Sequence, residues 1–247
     1  MSDSRVIAVF STKGGVGKTT TAVNLAWQAA ADGHRVLLWD LDPQAAATWL
    51  LSVRQKLRGG AEAVLSGERS AAKAIRETSV EGVDVLPADA SYRDLDIALD
   101  ATKKSGSRLA RVLKPLRDEY DVVILDCPPG ASLVAENALR AADVVLAPLA
   151  PSLLSLRSFD QVRDLLTEDG RDAALVAFLT MVDRRKRSHR DAADELPSRV
   201  AEITDIVVPF TVVAERMGEK HAAIGAFAPR SEAAKAYAAL WHRVARA

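Results

Sequence analysis

Between an apolar run, Arg5 to Phe10, and a segment of helical period opening at Lys18 stands Ser11-Thr12-Lys13-Gly14-Gly15-Val16-Gly17-Lys18-Thr19-Thr20. Glycines let a backbone curl until successive N–H groups face one anion, and a helix N-terminus adds partial positive charge at the same place. In the G-x-x-x-x-G-K-[ST] pattern the lysine, here Lys18, reaches the β- and γ-phosphates of a nucleotide, and the next hydroxyl, here Thr19, ligates Mg²⁺. A glycine turn that merely opens a helix requires neither side chain. The stretch departs from the ordinary pattern once: five positions before Gly17 the usual glycine is Thr12, and a second lysine, Lys13, follows it.

Carboxylates that could complete such a site come after two further apolar runs. Trp39-Asp40-Leu41-Asp42-Pro43-Gln44 follows the run Arg35 to Trp39. Acids at the carboxyl end of a parallel strand lie on the side where open α/β sheets bind ligands; capping of the next helix is the plainer alternative. Val122-Val123-Ile124-Leu125-Asp126-Cys127-Pro128-Pro129-Gly130 is an apolar strand ending in an acid. Asp126 is expected to hold Mg²⁺ through a coordinated water, with Thr19 as the direct ligand. The prolines and Gly130 turn the chain away without needing ladder hydrogen bonds. Cys127, with no basic neighbour in sequence, reads as a small packing residue.

These residues need a scaffold, and the rest of the chain describes one. Short apolar runs alternate with longer stretches of helical period, the pattern of βα units and a mostly parallel sheet. Strands are expected at 5–10, 35–39, 83–87, 121–126, 143–149, 173–180 and 205–208, and helices at 18–31, 45–54, 92–101, 107–119, 155–168, 190–203 and 231–246. Several strands are apolar on both faces, so helices should cover both sides of the sheet. The expected fold class is α/β, a P-loop NTPase-type three-layer sandwich, with residues 1–247 forming one domain. No linker, repeat or low-complexity tract divides it. With 247 residues, 49% hydrophobic and 27% charged, the chain can bury a large core, and disorder is excluded. No window approaches the ~18–20 apolar residues of a membrane helix, so no integral membrane segment is expected. The N-terminus lacks an export signal, and the single cysteine excludes a disulfide framework, which together point to the cytosol.

Lys13-Gly14-Gly15-Val16-Gly17-Lys18-Thr19-Thr20, with Asp40-Leu41-Asp42-Pro43-Gln44, resembles the deviant Walker A motif and switch segment of the ParA/MinD family of dimeric ATPases. The likeness runs on through the strands near Val144, Met181 and Val208 to the C-terminal helix. It is closest to ParA/Soj-type partition and positioning ATPases that lack an N-terminal helix-turn-helix; the first strand starts too early here for such a module to precede it. The resemblance implies ATP and Mg²⁺ as cofactors and an ATP-dependent homodimer. Lys13 would cross the dimer interface to the partner's phosphates, as an arginine finger does. Asp42 would orient the attacking water, and Asp40 would stand in the outer metal or hydrogen-bond shell. Catalysis would thus rest on Lys13, Lys18 and Asp42, with Met181 and Pro209 beside the adenine. Two departures concern the base contact and the switch. Family members often follow that proline with arginine and asparagine, where this chain has Phe210-Thr211, and Gln44 is followed by Ala45-Ala46 instead of glycine and asparagine.

Arg184-Arg185-Lys186-Arg187-Ser188-His189-Arg190 carries five permanent positive charges in seven residues, in the loop after the sixth expected strand. Such a cluster suits a phosphate backbone; a solvated basic loop is the bland reading. With the resemblance it implies nonspecific, nucleoid-associated DNA binding by the ATP dimer, released when a ParB-like or other cargo adaptor stimulates slow hydrolysis. One alternative is a MinD-like membrane-associated regulator. Tyr237, Leu240, Trp241 and Val244 form an apolar stripe on the last helix, but its cationic face is thin for an anchor. Another alternative is a metabolic ATP-dependent enzyme on the same fold. The iron-cluster branch is excluded by the single cysteine. The balance of 33 basic against 33 acidic residues predicts weak DNA binding by a monomer.

Overall fold

The runs of valine, leucine and isoleucine that read as strands do pair, and they pair in parallel. In the computed structural model, which describes residues 4–100, 105–168 and 173–247, the chain runs β1 (Arg5–Val9), α1 (Lys18–Ala31), β2 (Val36–Asp40), α2 (Ala46–Leu50), α3 (Gly60–Ser66), β3 (Arg76–Glu77), β4 (Val83–Leu86), α4 (Leu95–Asp100), α5 (Arg108–Leu116), β5 (Val122–Asp126), α6 (Leu133–Ala141), β6 (Val144–Leu149), α7 (Leu153–Glu168), β7 (Ala174–Val182), α8 (Arg187–Arg199), β8 (Ile203–Pro209), α9 (Val212–Lys220), α10 (Ile224–Phe227) and α11 (Glu232–Val244). The sheet order is β3-β4-β2-β5-β1-β6-β7-β8. Every neighbouring pair is parallel except β3 with β4.

Alternate residues of each central strand enter two separate cores. Val6 and Ala8, Leu37 and Trp39, and Val123 and Leu125 pack on α4, α5 and α6. Ile7 and Val9, Leu38 and Ile124 pack on α1 and α11. Strands β2, β5 and β6 are buried at every position, which is why their sequences do not alternate. The fold is the expected α/β sandwich of the P-loop NTPase type. Its register matters for function: Val9 and Asp40 both stand level with Asp126. The segments leaving β1, β2 and β5 therefore emerge side by side at the carboxyl edge.

Several elements differ from expectation. The helix expected over 45–54 ends at Leu50, and Ser52 takes a left-handed φ of 58°. The helix expected from Arg190 starts at Arg187, so Arg187 and Arg190 stand on its first turn and not in a loop. Helices α3, α6, α9 and α10 and strand β3 were not expected. Left-handed Gly59 and Gly67 bracket α3 and make its seven residues read as a loop. Helix α6 hides behind the Pro-Pro-Gly turn, where the Ser132 side chain accepts the Ala135 N–H as an N-cap. The end of the helix expected over 92–101 lies outside the described residues.

The C-terminal helix closes the second core. Tyr237, Leu240, Trp241 and Val244 are at most 3% exposed, and the Trp241 indole donates to the Asp32 carboxylate at 2.7 Å, tying α11 to the end of α1. Asn24 of α1 accepts the Ile224 N–H at 2.8 Å and so holds α10. Gly225 sits against Trp27, whose ring would lie 2.1 Å from any Cβ there. Among the described residues no helix is long and apolar enough to cross a membrane.

Candidate nucleotide site

The loop between β1 and α1 curls because two of its glycines take left-handed conformations that side chains rarely adopt, Gly15 at φ 72° and Gly17 at φ 82°. No side chain caps α1, so its first N–H groups are directed at the space the loop encloses. The Lys18 side chain folds into that space, buried, and its ammonium donates to the Lys13 carbonyl at 3.3 Å. Burial lowers its pKa, while the charges of Asp126, Cys127 and Asp42 oppose that shift.

Lys13 behaves differently. Its ammonium turns away from the loop to the Ser155 hydroxyl at 3.4 Å, on the first turn of α7. The same helix braces the loop through Thr12, whose hydroxyl meets that of Ser158 and donates to Gln161 Oε1 at 3.0 Å. Ser155, Ser158 and Gln161 form a polar stripe at helical spacing. Sequence reading passed over them because nothing in the stripe itself says which loop it will face.

The acids divide by environment. Both oxygens of Asp40 are engaged: Oδ2 accepts the Thr48 N–H at 2.8 Å and the Thr48 hydroxyl at 2.7 Å, and Oδ1 accepts the Asp42 N–H at 3.2 Å. Burial nevertheless pushes its carboxyl up to about 6. Asp40 thus organises the segment that carries Asp42. The Asp42 side chain is partly exposed, accepts the Gln44 N–H at 2.9 Å and lines the same cleft as Lys18 and Thr19.

Asp126 is the anomaly. It is 1% exposed, and neither carboxylate oxygen has a hydrogen-bond partner. Burial and then the nearby Asp40 charge push its carboxyl well above the usual range, with the Thr19 hydroxyl and Lys18 opposing. A buried, unpartnered acid is costly unless something completes it. A hydrated divalent ion beside Thr19 would do so, and the donor set of hydroxyl and carboxylate suits Mg²⁺. Among the described residues no cluster of three His, Cys, Asp or Glu side chains could cage a metal. Such an ion would therefore depend on phosphate oxygens for its remaining ligands. Cys127 is buried, with its thiol pKa pushed up by burial, which suits the packing role expected of it.

The loop opens into a cleft of about 450 Å³ whose far wall is the end of β7, the end of β8 and the start of α9. Met181 and Pro209 stand on this wall together with Thr180, Phe210, Thr211 and Glu215. Met181 sits at an irregularity of the β7–β8 ladder with φ 58°, a strained value for a side chain of its size. Phe210 is 54% exposed and offers an apolar face to whatever fills the cleft. Sequence reading had marked Phe210-Thr211 only as a departure.

The basic cluster lies beyond β7, apart from the loop. Its charge is partly cancelled: Arg185 pairs with Asp183 at 2.9 Å and Arg187 with Asp191 at 3.6 Å. Arg190 donates to the Arg184 carbonyl at 2.8 Å. Among the described residues Arg184, Lys186 and Arg190 make no ion pair, so two of the cluster's five charges are paired, and Arg184 also acts electrostatically on Glu232.

A phosphate loop at the carboxyl edge of a mostly parallel sheet, with an acid-ended strand beside it, defines a nucleotide-binding protein of the P-loop class. Residues 4–168 match the family described as an AAA domain. The chromosome partitioning protein ParA of Caulobacter vibrioides is 36% identical over 219 residues, covering 84% of this chain and 81% of its own. The sporulation initiation inhibitor protein Soj of Bacillus subtilis is 32% identical over 248 residues, 98% of both chains. A solved structure described as cobyrinic acid a,c-diamide synthase from Mycobacterium smegmatis, with an ATP analogue and magnesium, superposes with a TM-score of 0.83 at 30% identity, covering 98% of this chain and 95% of that one. This chain belongs to the ParA/MinD family of deviant Walker A ATPases. The phosphate loop, Thr19 and the unpartnered Asp126 are consistent with ATP and Mg²⁺, as held by the Mycobacterium structure.

Proposed function

We propose that this chain is a ParA-like positioning ATPase, which forms an ATP-dependent sandwich dimer, binds DNA without sequence preference and hydrolyses ATP slowly until a partner stimulates it. The observation that carries the reading is the parting of the two loop lysines. Lys18 fills its own phosphate loop, whereas Lys13 of the same loop is drawn outward to Ser155. A lysine displaced from its own site is free to serve a facing one.

Lys18 and the loop N–H groups would hold the β- and γ-phosphates, and Thr19 and Asp126 would hold Mg²⁺, which supplies charge screening when bound. Asp42 orients a water in line with the γ-phosphorus. As the water oxygen bonds to phosphorus the bond to the bridging oxygen breaks, and the water's proton leaves with inorganic phosphate. Lys13 from the facing protomer meets the charge developing on the transferred group, which makes turnover conditional on dimerisation. Met181, Pro209 and the exposed Phe210 ring receive the base.

DNA binding is assigned to Arg184, Lys186 and Arg190, with Arg185 and Arg187 contributing once their carboxylate partners are displaced. Hydrolysis would then release a cytoplasmic, nucleoid-associated dimer, whose cargo a ParB-like adaptor supplies. Names of relatives support the positioning role over a metabolic one, since Caulobacter ParA and Soj are 36% and 32% identical to this chain and the Mycobacterium enzyme 30%. Burial of the α11 stripe weighs against a membrane anchor.

The test is sedimentation with ATP and Mg²⁺. The wild type should dimerise, and Lys13→Ala should bind ATP yet remain monomeric. A Lys13→Ala protein that dimerises and turns over at the wild-type rate would remove the cross-protomer argument.

A further inference from the structure

At the opposite edge of the sheet from the α8 cluster lies a second concentration of positive charge. Arg58, Arg69, Lys73 and Arg76 line a groove of about 520 Å³ between the start of α3 and edge strand β3. Glu68 is the one carboxylate on its wall, and the remaining positions are small. All four cations are exposed, and among the described residues none makes an ion pair. The composition of the whole chain conceals this, because four cations here face a single carboxylate.

Arg69 and Ser70 carry the groove into an adjoining hollow between α3 and α5. Arg108, Arg111 and one carboxylate, Glu119, line that hollow, and the Arg108 Nε–H is buried without an acceptor. Four exposed cations without ion pairs, with an unsatisfied Nε–H in the hollow that Arg69 shares, make a surface suited to an oxygen-rich anion.

We infer that the groove at Arg58, Arg69, Lys73 and Arg76 is a second contact for the phosphodiester backbone of duplex DNA, acting together with the α8 cluster. This rests on the reading that the ATP-bound protein binds DNA. Three observations choose DNA over an acidic protein. The groove wall has no large apolar side chain that could anchor a peptide, whereas backbone contacts to DNA need only charge and donors. The groove also lies towards the carboxyl edge: Arg76 pairs with Val85 near the end of β4, and the Leu57 N–H beside Arg58 is held by Asp89 just beyond it. The α8 cluster follows the carboxyl end of β7. Finally, β3 and β7 are six places apart in the sheet. At ~4.8 Å per strand that separates the two patches by roughly 29 Å, within one ~34 Å turn of duplex.

The experiment is the salt dependence of binding to a random-sequence duplex, with ATP and Mg²⁺ present. Among the described residues the Arg58 and Lys73 side chains make no hydrogen bond or ion pair, and both stand outside the nucleotide cleft, so Arg58→Gln/Lys73→Gln should keep the wild-type melting temperature and ATP affinity. Each lost phosphate contact should reduce the slope of log K against log[NaCl] by ~0.9 and weaken binding about eightfold at 0.1 M salt. Arg58→Lys/Lys73→Arg should restore both. An unchanged slope in the Gln pair, in a wild type that does bind DNA, overturns this inference alone. A wild type that binds no duplex with ATP overturns the DNA reading and this inference together.

Discussion

Asp40, Asp42 and Asp126 share one edge of the sheet, and their surroundings give them three different tasks. Asp40 has spent its acceptor capacity on Thr48 and the Asp42 N–H. Asp126 is buried with its capacity unspent. Asp42 alone is both partly exposed and in the cleft with Lys18, so it is the acid able to meet a water. Asp42→Ala should therefore leave nucleotide affinity within about twofold while lowering turnover by ~10²–10⁴, the usual worth of a positioned acid or base. Isothermal titration and phosphate release measure the two quantities separately. Loss of affinity without loss of turnover at saturation would transfer the role to another group. In the sequence the three acids look alike. Their spacing does not say which one Thr48, eight positions beyond Asp40, will occupy.

At the scale of elements, the central strands were legible almost to the residue because burial on both faces leaves an uninterrupted apolar run, whereas the exposed edge strand β3 was not. Helix α1 was legible at both ends. Less so were the short helices around Gly59, Ser132 and Thr211, whose existence depends on caps and on packing surfaces supplied from elsewhere in the chain. Helix α11 shows the difference most plainly. Its stripe of Tyr237, Leu240, Trp241 and Val244 would suit a bilayer surface as well as a core, and only docking on α1 decides between them. Leu240→Ala should then destabilise the protein by about 2–5 kcal/mol, as for other fully buried leucines. Urea unfolding reads this directly. A loss below about 0.5 kcal/mol would mean that the helix does not rest on the core in solution.

For the whole molecule the site imposes a cost that depends on pH. The folded Asp40 carboxyl is raised to about 6, against ~3.9 in an unfolded chain, and Asp126 is shifted in the same direction. Between those values the folded state binds more protons than the unfolded state. The contribution to stability is fully present below about pH 4 and is lost as pH rises through 6. For Asp40 the shift amounts to roughly 3 kcal/mol, at ~1.4 kcal/mol per unit. Without nucleotide and metal, wild-type stability should fall relative to Asp40→Asn between pH 4 and 6.5. Mg²⁺ and ATP should oppose that fall, because the ion favours ionised Asp126. Parallel pH profiles for the two proteins, measured by urea unfolding, would show that Asp40 is not the group responsible.

Local chemistry was sufficient for part of this. The glycine-lysine-threonine order, the apolar strands and the acids at their ends determined a phosphate loop, a parallel sheet and the edge on which both stand, because these depend on backbone conformation and on nearest neighbours in the chain. Tertiary structure decided what depends on residues distant in sequence. It turned Lys13 towards Ser155, gave Asp40 to Thr48 and left Asp126 without a partner. It cancelled two of the five charges near Arg187, and it gathered Arg58, Arg69, Lys73 and Arg76 into a groove that no run of sequence displays. Coulomb and hydrogen-bond energies act across space at a few ångströms, so the partner of a charged group is chosen by the fold and not by its place in the chain.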